Sequence, residues 1–365
     1  MDPPTRQAET TEEIRKQWLS GHLYYHEDPD RAVRGFVHPL AAALARDGSI
    51  TGFFFIRHGL GGPHIRLRLR PVTGAGERML DEMEHFARIF LAREPSTRSL
   101  EADAIRRSNS AILKADPHEV DDSVYPDNSF HVVPFRPEIE RYGGPGRFRL
   151  SLDYFTLSSV AAIDFHVRLG GAARSVQLTQ AYGLLLRQAL GFTIGEDELT
   201  DLLRYGVDWL GQDLPKVVEK GDEVVRAQIG LFLQLLFSSL DEARTLRARA
   251  DASDLSPPDL LVAGAGRLSA AIGPAERGSR LRIGASQLHM TASRLGFTHA
   301  EEVYLSRLLT RTLGEACSGR GTDLSWLRET TVGKAAEDPA SALRQLLPHA
   351  LAALAALPGT GADRG

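Results

Sequence analysis

The sequence predicts an α+β fold, with a mixed N-terminal sheet covered by helices and a mostly α-helical second half. Three observations lead there. Phe53 to Arg70 reads as two β-runs joined by a Gly61-Gly62-Pro63 turn. Strand-like and helix-like patterns alternate through the N-terminal part, as in helices layered over a sheet. Beyond Gly146 the apolar spacing becomes helical and stays so.

Residues 1–16 are polar and expected to form a disordered tail. Trp18 to His26 reads as a strand. Asp28-Pro29-Asp30 starts a helix that runs to Arg46, where Asp47-Gly48 closes it. The two β-runs follow. Glu77 to Arg93 is an amphipathic helix, with Met79, Met83, Phe86 and Phe90 on its apolar stripe. From Thr97 to Pro134 the pattern weakens, and Asp116-Pro117, Asp121-Asp122 and Pro126-Asp127-Asn128 punctuate a loop. Phe130 to Phe135 reads as a short strand. Helical spacing then covers 148–166, 175–190, 196–210, 220–240, 280–296, 299–317 and 340–357, with a further helix after Pro257-Pro258. The expected organisation is an α+β part at 17–147, a mainly helical part at 148–357 that completes the same domain, and a tail at 358–365.

Composition excludes several classes. Net charge is −4 over 365 residues, which gives no global attraction to nucleic acid or an anionic membrane. The single Cys317 rules out an intramolecular disulfide and cysteine-based metal clusters. The most apolar run, Ile229 to Leu240, is too short to span a membrane and contains Gln234 and two serines. No HExxH, GxSxG, P-loop or dinucleotide fingerprint is present. No metal or organic cofactor is expected, and the chain reads as soluble and cytoplasmic.

Three stretches could carry chemistry. In the second β-run His64, Arg66, Arg68 and Arg70 share one face, while Ile65, Leu67 and Leu69 share the other. Like charges at every second position repel unless acidic neighbours or an anionic ligand sit among them, and guanidiniums fork onto carboxylates. Glu138-Ile139-Glu140-Arg141-Tyr142-Gly143-Gly144 places Glu138 and Arg141 three apart, so a helical turn would pair them. Ser286-Gln287-Leu288-His289-Met290-Thr291-Ala292-Ser293-Arg294-Leu295 sets His289 in an apolar helix, as a core histidine or as a group that moves protons near neutral pH.

The three stretches, in this order, resemble the signatures of the C-terminal elimination domain of class I lantibiotic dehydratases, a module also found alone in thiopeptide-type bacteriocin biosynthesis. The resemblance spans about residues 17 to 320. It implies removal of glutamate by β-elimination from glutamylated Ser or Thr of a ribosomal precursor peptide, leaving dehydroalanine or dehydrobutyrine. A separate tRNA-dependent protein would attach the glutamate. Carried over by residue, Arg66, Arg68, Arg141 and His289 are catalytic, Glu138 supports Arg141, and Arg57, Tyr142 and Ser286 contact substrate. Ala292-Ser293 departs from the more polar pair that the family carries. The same fold also serves as a thiopeptide pyridine synthase, which joins two dehydroalanines by formal [4+2] cycloaddition and releases the leader. A third reading is a non-catalytic partner that binds precursor peptide. A homodimer is compatible with each.

Overall fold

A computed structural model describes residues 11–115, 123–205, 207–208, 214–248, 252–320, 324–325, 327 and 338–359. The loop signals at Asp116-Pro117 and Asp121-Asp122, the first part of the N-terminal tail, the last residues of the 196–210 helix and most of the C-terminal tail fall outside them. The chain forms two compact units: residues 1–170 with 350–365, and residues 171–349.

The first unit holds the sheet. Residues 11–16 are helical rather than loose, because Ile14 is fully buried. Strand β1 is Leu19–Tyr24. Helix α1 (Pro29–Ala32) starts where expected, with the Asp28 carboxylate accepting from the Asp30 amide. A π-helical turn, Val33–Val37, leads into α2 (His38–Arg46). Pro39 lacks the amide hydrogen that would bond the Gly35 carbonyl, so the regular ladder breaks at this point. Strands β2 (Ile50–His58) and β3 (His64–Pro71) form the expected hairpin. Helix α3 is Gly76–Arg93.

Helix α4 (Ala102–Ala115) lies where the sequence reads as loop. One stripe of it lies on the β2–β3 turn. Ile105 and Ile112 pack on Gly62 and Gly59, and Asn109 accepts from the Gly61 amide at 2.8 Å. Ile105, Asn109 and Ile112 recur at helical spacing, so the period is present in the sequence, and the loop punctuation that follows it draws the reading away.

Strand β4 (Ser129–Val132) completes a four-stranded sheet of order β2-β3-β1-β4. All three pairings are antiparallel, which corrects the expectation of a mixed sheet. β1 and β2 do run the same way, but β3 inserts between them. The long helix α5 (Pro145–Leu169) covers the β2 edge. Its Thr156 and Ser159 hydroxyls accept from the Phe53 and Phe55 amides at 3.2 and 3.3 Å, satisfying part of an otherwise open strand edge. Contacts keep α5 with the sheet unit up to Gly170, whereas the sequence changes character near residue 147.

The second unit is helical. It contains α6 (Arg174–Phe192), α7 (Glu196–Tyr205), α8 (Pro215–Ala248), α9 (Pro257–Ile272), α10 (Arg277–Arg294), α11 (His299–Arg320) and α12 (Pro339–Arg344). α13 (Leu346–Ala356) runs from this unit into the first. Helix α8 is longer than the run read from sequence, and by length and composition alone it could cross a membrane. A bidentate pair between Arg307 of α11 and Asp222 of α8, at 2.8 and 2.7 Å, ties it to its neighbour.

Candidate active site

Residues directly opposite in an antiparallel pair share a face, so the register defines what surrounds the arginines. Arg66 stands between His22 of β1 and Ile56 of β2. Arg68 stands between Ser20 and Phe54, and His64 between Tyr24 and His58. One step further, His131 and Ser129 of β4 face His22 and Tyr24. This sheet face is therefore lined with imidazole, phenol, hydroxyl and guanidinium groups. The opposite face, with Leu23, Phe53, Phe55, Ile65 and Leu67, is buried apolar core.

Neutral imidazoles hold the two central guanidiniums. Arg66 Nε donates to His64 Nε2 at 3.1 Å. Arg68 Nη2 lies 3.3 Å from His22 Nε2, and Arg68 is only 6% exposed. The His22 and His64 rings stack at 5.0 Å, and Tyr24 stacks on Tyr125 at 4.5 Å. Burial, helped by Arg66 and Arg68, depresses His22, His58 and His64: His58 falls to about 3, and His22 and His64 lie far below the usual histidine range. They act as hydrogen-bonding groups without charge at neutral pH.

The other two arginines of the hairpin play different parts. Arg70 shares the Arg66 face, but its Nη1 reaches Asp153 of α5 at 2.8 Å, and its guanidinium lies over the Trp18 ring at 5.3 Å. Arg57, expected to contact substrate, lies opposite Ile65 and so projects from the other face. There it pairs with Asp30 of α1, and its Nη2 is 2.8 Å from His166 Nε2 of α5. Burial alone would raise the Asp30 carboxyl, but Arg57 and His166 hold it below the usual carboxylate range. Arg57 fastens two helices to the sheet and is not brought to the Arg66 side.

The second motif is anchored on the arginine face. Phe135, three residues ahead of Glu138, lies against Phe54, with the Arg68 guanidinium 5.7 Å from its ring centre. Glu138 to Gly143 forms turns closed by the Tyr142 and Gly143 amides on the Ile139 and Glu140 carbonyls. As expected, Arg141 Nη1 donates to Glu138 Oε2, at 3.0 Å. Tyr142 does not face solvent: it is 3% exposed and packs on Phe148 and Phe155. The glycines that follow have φ of +76° and +104°, which suits only residues without a Cβ, and they turn the chain into α5.

The third motif belongs to the helical unit and splits by helix face. Gln287, Thr291 and Arg294 are fully buried, with Gln188 of α6 donating to the Thr291 hydroxyl at 3.0 Å. Ser286, His289 and Ser293 fall on the half-exposed side of α10. There His289 Nδ1 sits 2.9 Å from Glu302 Oε2 and 3.0 Å from Oε1. Glu302, on the first turn of α11, is only 10% exposed at its side chain. A carboxylate on Nδ1 selects the tautomer that carries its proton there, with the lone pair on Nε2. Sequence reading missed Glu302, because a helix turn separates it from the motif and nothing marks it among neighbouring acids. The described residues contain no cluster of His, Cys, Asp or Glu suited to a metal ion.

Known proteins place the chain. The family model for the lantibiotic biosynthesis dehydratase C-terminal domain matches residues 18–313. Among solved structures, a pyridine synthase from thiomuracin biosynthesis, TbtD, matches 84% of this chain and 99% of its own, at 22% identity and TM-score 0.67. The tRNA-dependent lantibiotic dehydratase MibB from Microbispora sp. 107891 matches 84% of this chain at 18% identity and TM-score 0.53, with only 29% of its own length covered. TsrL matches 87% of this chain and 99% of its own, at 16% identity and TM-score 0.52. No curated protein matches the sequence. The fold, the three ordered motifs and the family match over most of the chain make this protein a member of the lantibiotic dehydratase C-terminal domain family.

Proposed function

We propose that this protein eliminates glutamate from glutamylated Ser or Thr residues of a ribosomal precursor peptide. The observation that carries the reading is the pair Arg66 and Arg68, side by side on one sheet face and hydrogen-bonded to neutral His64 and His22. Two oriented guanidiniums suit a glutamyl group, whose free side-chain carboxylate is joined by the α-carboxylate when the ester breaks. Arg141, braced by Glu138, adds a third cation. A base removes the α-proton of the modified residue, the Cα–H electrons form the Cα=Cβ bond, and the Cβ–O electrons leave with glutamate. Guanidiniums stabilise the enolate-like charge on the peptide carbonyl. The resemblance assigns the movement of a proton to His289, whose Nδ1 meets Glu302. Ser286, on the same side of α10 as His289, is the remaining substrate contact in this reading.

The partners of this reading are the precursor peptide, with leader and core, and a separate protein that attaches glutamate from charged tRNA. The reaction needs neither metal nor organic cofactor, and we place it in the cytoplasm. A homodimer fits the reading and is not required by it. A second reading, pyridine synthase, is favoured by the likeness to TbtD over nearly all of that chain.

Two peptides test the choice. One carries a leader and a single glutamylated serine; the other carries two dehydroalanines at cyclisation spacing. Elimination predicts free glutamate and dehydroalanine from the first without tRNA, ATP or metal, and no change in the second. His289→Phe should slow the first reaction by about 10²-fold or more. An inert first peptide with a cyclised second one establishes the synthase instead, and two inert peptides favour a binding partner.

A further inference from the structure

The hairpin turn and the arginine strand are chemically linked. Gly62 has φ of +119°, a conformation open to glycine. In it the Gly62 carbonyl lies 2.8 Å from His64 Nδ1. A carbonyl only accepts, so Nδ1 carries the proton and Nε2 keeps its lone pair. That lone pair is what the Arg66 Nε–H meets at 3.1 Å. His64 is 3% exposed and packed between the rings of His22, at 5.0 Å, and Tyr24, at 4.5 Å, so its plane is fixed.

We infer that His64 is a positioning residue for Arg66: the turn carbonyl sets its tautomer, and its Nε2 fixes the direction of the guanidinium fork. The role of the fork as the glutamyl contact rests on the elimination reading; the link from Gly62 through His64 to Arg66 does not. Glycine at 62, histidine at 64 and arginine at 66 thus act as one device. Burial and the two adjacent guanidiniums hold His64 neutral, which keeps its acceptor available.

Four measurements test it. In wild-type protein with ¹⁵N-labelled histidine, His64 should show a protonated Nδ1 and an unprotonated Nε2 at neutral pH. His64→Leu should weaken binding of a glutamylated peptide about tenfold, the scale of one lost charge-assisted hydrogen bond, and leave binding of the unmodified peptide as it was. His64→Gln, whose side-chain oxygen can accept from Arg66, should restore most of the loss. In an Arg66→Ala background, His64→Leu should cost nothing further, because the two act as a unit. A Nε2–H tautomer, equal losses for both peptides, or an undiminished cost in the Arg66→Ala background would each overturn the assignment. If His64→Leu does not fold, the tautomer and the His64→Gln variant decide it. A wild type that does not distinguish the two peptides overturns the elimination reading alone; the tautomer and a thermal-stability cycle between His64 and Arg66 then decide this one.

Discussion

Arg57 and Arg66 occupy adjacent strands one step apart in register, and the sheet sends them to opposite sides. Arg57 meets the Asp30 carboxylate and joins two helices to the sheet. Arg66 meets a neutral imidazole beside a second guanidinium, likewise held by an imidazole. The same side chain thus does two jobs. The Asp30 carboxylate ties Arg57 to a helix, whereas the His64 imidazole orients the Arg66 guanidinium along the sheet face. Arg70, on the Arg66 face but tied to Asp153, shows that position on the sheet alone does not decide which job an arginine has.

This difference can be broken by substitution. Arg66→Ala and Arg68→Ala should each slow glutamate elimination by about 10²-fold or more, the range seen when a donor to developing charge is removed. Both should keep a cooperative thermal transition and accumulate glutamylated peptide. Arg57→Ala should act on stability instead. Breaking a largely buried pair removes the main partner of Asp30 and costs about 3 kcal/mol, which a urea melt would register as a lower midpoint. If Arg57→Ala melts like wild type, or the strand variants do not fold, the division of labour is wrong.

The strand arginines were legible in sequence because alternation is local. Ile65, Leu67 and Leu69 name the core face, and Arg66 and Arg68 must then face away. Arg57 was not legible. Phe53, Phe54, Phe55 and Ile56 make both faces of β2 apolar, so only pairing with β3 fixes its side. The Glu138–Arg141 pair followed from spacing, whereas the bond from His289 to Glu302 crosses two helices and leaves no local mark. His22 and His64 became meaningful only once the register put His22 opposite Arg66 and bond geometry showed both imidazoles as acceptors.

Smaller effects sharpen the picture. If Glu138 orients Arg141, then Glu138→Gln, Arg141→Gln and the double variant should lose similar activity, about tenfold each. Fully additive losses would mean separate roles. The neutral histidines also set a pH dependence. Their folded pKa values lie below the unfolded value of 6.5, with His58 at about 3, so the unfolded chain binds the extra protons. Stability should be full above about pH 6.5 and fall as pH drops below it, by up to about 1.4 kcal/mol per unit for each histidine. Arg68→Ala, which removes one of the lesser causes of the depression, should flatten that slope only at its acid end, below about pH 5, where the folded histidines begin to bind protons. An identical slope in the variant would remove the guanidinium as a cause.

The central claim is β-elimination of glutamate, and an isotope in the substrate tests it most directly. The purified protein is given a leader-bearing peptide whose single glutamylated serine carries deuterium at Cα, and the peptide is followed by mass spectrometry. The account predicts one free glutamate for each deuterium lost, with dehydroalanine as the peptide product. Release of glutamate to give serine that keeps its deuterium would mean hydrolysis and would contradict the account, as would a peptide that remains glutamylated while a bis-dehydroalanine peptide cyclises.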